Sequence, residues 1–130
     1  MPISFTIDDV AHIVRTEAIG PVTFDDIQRH LSDESRAGGI PYREVIDGTR
    51  ATAAFDGADA RRIVQRVRDL ATKGAFGPTA VIVSNDVTYG MVRMIEMLVE
   101  DVVDVRPFSV TQRAEAEAWV QETPIRGRPP

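Results

Sequence analysis

The segment Thr79–Val83 (TAVIV) constrains this chain more than any other stretch. It is continuously apolar or β-branched, with Gly77-Pro78 before it and Ser84-Asn85-Asp86 after it. A strand with one apolar face can lie at a surface, whereas a strand apolar on both faces needs cover on both. Layers of other elements must therefore flank it, and the turn signals at its ends keep it short.

The surrounding sequence supplies those layers. Asp56 and Asp59 have capping-box spacing, and Ile63, Val64, Val67, Leu70 and Ala71 then trace one helical stripe that Gly74 ends. After TAVIV, Asp86 is placed to cap a helix reaching Glu100, and residues 102–108 return as a strand. Upstream, Ile3, Phe5 and Ile7 alternate with polar residues, Asp8-Asp9 turns the chain, and residues 10–18, His12 among them, form a second strand.

Gly20-Pro21 breaks the chain, and Thr23 with Asp26 caps a helix over residues 24–31 whose apolar face is Phe24, Ile27 and Leu31. Residues 32–41, with Gly38-Gly39, read as loop, and residues 43–47 as a short strand ended by Gly48. A last helix spans residues 109–121, with Thr111 as its cap and Ala114, Ala118 and Trp119 toward the core. Residues 123–130, with three prolines and a glycine, read as a disordered tail.

Strand and helix thus alternate from the second strand onward. Right-handed crossovers convert that order into an α/β fold with a mostly parallel sheet of about five strands and four helices, the first strand being an antiparallel edge. At 130 residues one domain is expected, over residues 1–122.

Composition narrows the function classes. A net charge of −5 opposes the basic field that phosphate backbones require, so nucleic acid is not an expected partner. The chain has no cysteine, which removes disulfides, thiolate metal sites and cysteine nucleophiles. No apolar run approaches the roughly 20 residues of a membrane span, the amino terminus lacks a signal-peptide pattern, and the cytoplasm is the expected location.

The element order, the block AVIVSNDVTYGMVRMIEMLVE (80–100) with its Tyr89-Gly90-x-x-Arg93 stretch, and the closing AEAEAWV (114–120) resemble the SpoIIAA-like group of STAS domains. The resemblance implies that group's fold and a regulatory, protein-binding role. It also implies a phosphoacceptor after the third strand, where this chain reads Asp47-Gly48-Thr49-Arg50-Ala51-Thr52. Thr49 takes that position, although Arg50 replaces the glycine that normally follows.

Ligands of open parallel sheets bind beyond the carboxyl ends of the strands. The residues gathered there are Asp47 and Arg50, the latter a candidate anion holder, and Ser84, Asn85 and Asp86; the alternative is a set of caps and turns with a surface arginine. His12 and His30 have no metal or triad spacing and read as satisfied or solvated histidines. Asp8-Asp9 and Asp25-Asp26 lie where turns and helix starts want negative charge. Arg61, Arg62, Arg66 and Arg68 read as a solvated helix face. The glycines form no phosphate-binding loop. No catalytic residue, cofactor or metal is indicated.

The third helix is the exception to ordinary patterning. Its polar residues Tyr89, Arg93, Glu96 and Glu100 form one narrow stripe, so its apolar surface exceeds what a lone surface helix needs. Either neighbours flank it on both sides, or Met91, Val92, Met97 and Val99 form an interface with a second copy or line an apolar pocket. The expectation is a non-catalytic interaction or regulatory module that forms a homodimer or binds another protein. The alternative is a binder of a small apolar or anionic ligand.

Overall fold

Two reciprocal caps set the helix starts on this chain. The Thr23 hydroxyl accepts from the Asp26 amide while the Asp26 carboxylate accepts from the Thr23 amide, and Asp56 and Asp59 repeat the exchange. Each satisfies backbone donors that the first helical turn leaves open. In a computed structural model that describes residues 2–126, the elements run β1 (Ile3–Asp8), β2 (Ile13–Val22), α1 (Phe24–Arg36), β3 (Arg43–Ala53), α2 (Gly57–Ala71), β4 (Thr79–Val83), α3 (Asp86–Val99), β5 (Val105–Ser109), a short 3-10 turn and α4 (Arg113–Glu122).

The sheet order is β1-β2-β3-β4-β5, with β1 antiparallel to β2 and the other neighbours parallel. The mostly parallel α/β sheet with an antiparallel first edge is thus as the sequence implies. Helices α1, α2 and α3 connect successive parallel strands and share one apolar cluster, which includes Ile27, Leu31, Ile63, Val67 and Val99. Helix α4 covers the opposite face, where Ala116 and Val120 pack with Ile13, Val45, Ile82 and Phe108.

Several boundaries differ from the sequence reading, each for a physical reason. His12 is not in β2 but in the preceding turn, at φ 55°, where the Asp8 carboxylate accepts from the amides of Val10 and Ala11. Gly20-Pro21 does not break the chain, because β2 runs on through both and pairs them with Ala51 and Thr52. Likewise β3 continues past Gly48 to Ala53. Between the pairs Glu17↔Asp47 and Ile19↔Arg50, β3 carries one more residue than β2, a β-bulge that takes up the Gly48-Thr49 step.

Helix α1 extends to Arg36 because its inward face continues with polar residues. The cap of α3 is Asn85, whose side chain accepts from the Thr88 amide, and not Asp86. Strand β5 starts at Val105, since Val102 and Val103 still bond back to the Val99 carbonyl. Thr111 does not cap the last helix: it lies in the 3-10 turn, which Ser109 precedes with its amide donating to the Gln112 side chain, and α4 follows from Arg113 with Gln112 at its cap position. Its core side is Ala116 and Val120; Ala114 and Ala118 are exposed.

The carboxyl end stays attached beyond Glu122. Arg43 donates to the carbonyls of Val120 and Thr123, and Arg126 binds Asp104 at 2.9 Å. Thr123 and Arg126, which the sequence reading puts in the tail, are thus tied to the domain, and residues 127–130 lie outside the described ones. The α2 arginines do more than face solvent: the exposed Arg62 lies over the Phe24 ring, the half-buried Arg66 donates to Ser32, and Arg68 pairs with Asp101 at the surface. They tie α2 to α1 and α3.

Candidate functional site

Alternation along β3 separates two environments. Glu44, Ile46 and Gly48 face the layer of α1, α2 and α3, while Val45 packs toward α4 and Asp47 bonds Arg113 of α4. On the first side the helices do not close fully onto the sheet. They leave a cavity of about 190 Å³, walled by residues such as Ala18, Val22, Ile27, Val67, Val83 and Val92. Protein interiors leave few voids larger than a water molecule, so one of this size is a feature and not a packing residue.

Among the described residues, His30 and Glu44 are the only titratable side chains on its walls, and they belong to a buried polar cluster. His30 and Glu34 stand one helical turn apart on α1, Thr16 comes from β2 and Glu44 from β3. His30 Nε2 lies 3.0 Å from Glu44 Oε2 and 2.9 Å from Glu34 Oε2. The Thr16 hydroxyl donates to Glu44 Oε2 at 2.5 Å. Phe5 meets the imidazole edge to face, with centroids 5.4 Å apart.

The two carboxyls divide electrostatically. Burial disfavours a charged His30, yet its close contacts with the Glu34 and Glu44 carboxyls outweigh that and push it up to about 10. Burial, then the charge of Glu44, pushes Glu34 up to about 8. Burial also works to raise Glu44, but His30, Glu34 and Thr16 hold it below the ordinary carboxylate value. At neutral pH the cluster is therefore a charged imidazole beside one ionised and one protonated carboxyl.

The sequence-derived candidates fall elsewhere. Thr49 lies inside β3 and not in a turn; its amide and hydroxyl donate to Asp47 Oδ1 at 3.1 and 2.7 Å, and Arg113 binds Asp47 Oδ2. Burial raises the Asp47 carboxyl, but these partners hold it below its ordinary value. Asp47 and Thr49 thus belong to the bonded edge nearest α4, away from the cavity. Arg50 is exposed in β3. Ser84 and Asp86 are exposed around the capping Asn85, and Thr88, one turn on, reaches the cavity wall.

Of the four α3 residues, Val92 and Val99 are core, Met91 is half-buried and Met97 is 56% exposed. A signal for the missed cluster existed. Ile27, His30, Leu31 and Glu34 follow the i, i+3, i+4, i+7 spacing of a buried face, with polar residues at positions the apolar period reserves.

No family model and no curated protein matches the sequence. Solved structures do match in fold. One is an uncharacterized DUF3478-family protein with a SpoIIAA-like fold from Shewanella loihica PV-4, with a TM-score of 0.55 and 18% identity over 91% of this chain and 93% of that one. Another is the anti-sigma factor antagonist SpoIIAA in its unphosphorylated form, with a TM-score of 0.51 and 16% identity over 92% of this chain and 100% of that one. The chain has the SpoIIAA-like, STAS-like α/β fold.

Proposed function

We propose that this chain is a non-catalytic binding module that holds a small, largely apolar ligand between its helix layer and its sheet. The observation that carries this reading is the cavity of about 190 Å³, whose walls are apolar except at its His30 and Glu44 corner and a few threonines. An apolar cavity of roughly 150 Å³ is enough to take up benzene. A polar corner gives such a ligand one orientation.

The fold shared with an anti-sigma factor antagonist supports a regulatory use, in which occupancy is reported to a protein partner in the cytoplasm. Thr49 is the residue at which a phosphate would act, since it would displace the bond to Asp47 beside Arg113.

Titration with a fluorescent apolar probe, N-phenyl-1-naphthylamine, tests the cavity directly. Ala51 lies on its wall, and Ala51→Leu is expected to weaken the probe about tenfold while stabilising the fold by about 0.5–2 kcal/mol. A wild-type protein that leaves the probe dark, or an Ala51→Leu variant with unchanged affinity, overturns the reading.

Self-association through α3 is a second reading, and its support has narrowed. Val92 and Val99 are used within the chain, but Val87, Met97 and Leu98 are exposed by 72%, 56% and 39% on one side of the helix. An isologous pair would cover them. Sedimentation equilibrium is then expected to show a dimer that Met97→Glu dissociates, and a wild-type monomer at high concentration removes this reading.

A further inference from the structure

The His30, Glu34 and Glu44 cluster leaves two buried polar atoms without a hydrogen-bond partner, His30 Nδ1 and Glu34 Oε2. A protonated Nε2 carries a single hydrogen, and it is directed at Glu44 Oε2. Glu34 Oε2 stands 2.9 Å from the same nitrogen, is part of a side chain only 3% exposed, and receives no hydrogen bond. A buried carboxyl oxygen without a hydrogen-bond partner is poorly tolerated in a core. It points at the place where the other two ligand-capable atoms converge.

We propose that His30 Nε2 and the carboxylates of Glu34 and Glu44 form an internal site for a divalent transition-metal ion of the zinc class. The three donor atoms lie within 4.8 Å of one another. Ligand atoms around a tetrahedral zinc with bonds of about 2.0–2.1 Å stand roughly 3.3 Å apart. The observed separations of 2.9 and 3.0 Å from Nε2 thus need to open by only a few tenths of an ångström.

One imidazole and two carboxylates form a borderline-to-hard donor set, which suits zinc or manganese and not a soft monovalent ion. Two carboxylates and a divalent cation also sum to no net charge, so that Glu34 can give up the proton it holds at neutral pH without leaving two like charges buried together.

The surroundings resemble the support a metal site needs. The Thr16 hydroxyl holds the Glu44 carboxylate from behind, and Phe5 fixes the imidazole by packing against its edge. A narrow cleft of about 20 Å³ reaches His30 from the side of α1, and its walls carry Asp26 and Asp33 along with Arg29. Two acidic residues along that path favour the approach of a cation.

The test begins with protein dialysed against EDTA and then titrated with Zn²⁺, with Mg²⁺ as a comparison. Native mass spectrometry and metal analysis after gel filtration are expected to find one zinc per chain. Glu34→Gln keeps the shape of the side chain and is expected to weaken zinc by about tenfold or more. His12→Ala, in the exposed turn where the imidazole stacks on Tyr42, is expected to leave binding unchanged.

Histidine ring NMR of the wild type supplies a readout that needs no variant: zinc should shift the His30 signals and spare those of His12. Absence of stoichiometric zinc, full affinity in Glu34→Gln, or a response at His12 alone overturns the site.

Discussion

Replacing His30 by leucine is expected to lower the unfolding free energy of the metal-free protein by about 3–5 kcal/mol at neutral pH, measured by urea denaturation in EDTA. Among the described residues, the imidazole is the one cation paired with Glu34 and Glu44, which are both buried. Leucine fills the space but takes the imidazole from the buried Glu44, whose burial then works against its charge with only Thr16 and Glu34 left to offset it. A domain of this size holds about 5–15 kcal/mol in total, so the variant should fold but melt much earlier.

Removing the whole network at once should do less harm than removing its centre. His30→Leu combined with Glu34→Leu, Glu44→Met and Thr16→Val is expected to recover most of the loss, since a well-packed apolar replacement of a buried ion pair is often neutral. A single variant that loses less than about 1 kcal/mol would show that His30 does not neutralise the carboxylates.

The pH dependence has a definite sign. The folded protein holds the His30 proton more tightly than the unfolded chain does, so its contribution is complete below about pH 6.5 and disappears as the pH rises through about 10. Glu34, raised from 4.5 to about 8, adds a loss in the same direction over a lower range. Glu44 is lowered, so its contribution is present above 4.5 and is lost as the pH falls through its folded value. The cluster therefore favours the folded state most near pH 4.5, loses the Glu34 contribution from there toward pH 8, and loses the His30 contribution from about 6.5 toward pH 10. His30→Leu should flatten that alkaline decline.

What could be read in the sequence follows from what apolar patterning reports. The TAVIV strand, the Asp56 cap and the stripe Ile63, Val64, Val67, Leu70 are set by local periodicity, and they are where the sequence places them. Patterning fails where burial is polar. The apolar period stops α1 at Leu31 because its next inward residue is Glu34, and a buried glutamate looks like a solvent-facing one until β3 brings Glu44 beside His30.

The cavity was legible only in part: Val92, a candidate for lining an apolar pocket, is on its wall, whereas Met91, Met97 and Val99 are not, because its shape is defined by where helices fail to meet the sheet. The breadth of apolar surface on α3 was legible, but its division was not. Val92 and Val99 turn inward while Val87 and Met97 do not, and only packing against α2 and β5 decides which is which.

Glycines separate local from tertiary information most clearly, and they yield the second large prediction. Gly74 and Gly77 both read as chain breaks around the start of β4. A Cβ on Gly74 would meet nothing within 4 Å, so Gly74→Ala is expected to be neutral or to stabilise by about 0.4–1 kcal/mol through the unfolded chain. A Cβ on Gly77 would sit 2.1 Å from the Tyr42 carbonyl oxygen and 2.5 Å from its carbon. Both atoms are backbone, and no rotamer change relieves the clash.

Gly77→Ala is therefore expected to destabilise by about 3 kcal/mol or more, measured by urea denaturation. The displacement has a direction. Gly77 donates to the Ile40 carbonyl, and the next residue, Pro78, accepts from the Glu44 amide at 3.0 Å. Pushing the β4 start away from Tyr42 loosens the bond that seats Glu44 beside His30, so His30 ring signals should shift in this variant although the substitution lies outside the cluster. A Gly77→Ala protein of wild-type stability with unmoved His30 signals would mean that β3 and β4 can part at their starts without disturbing the site.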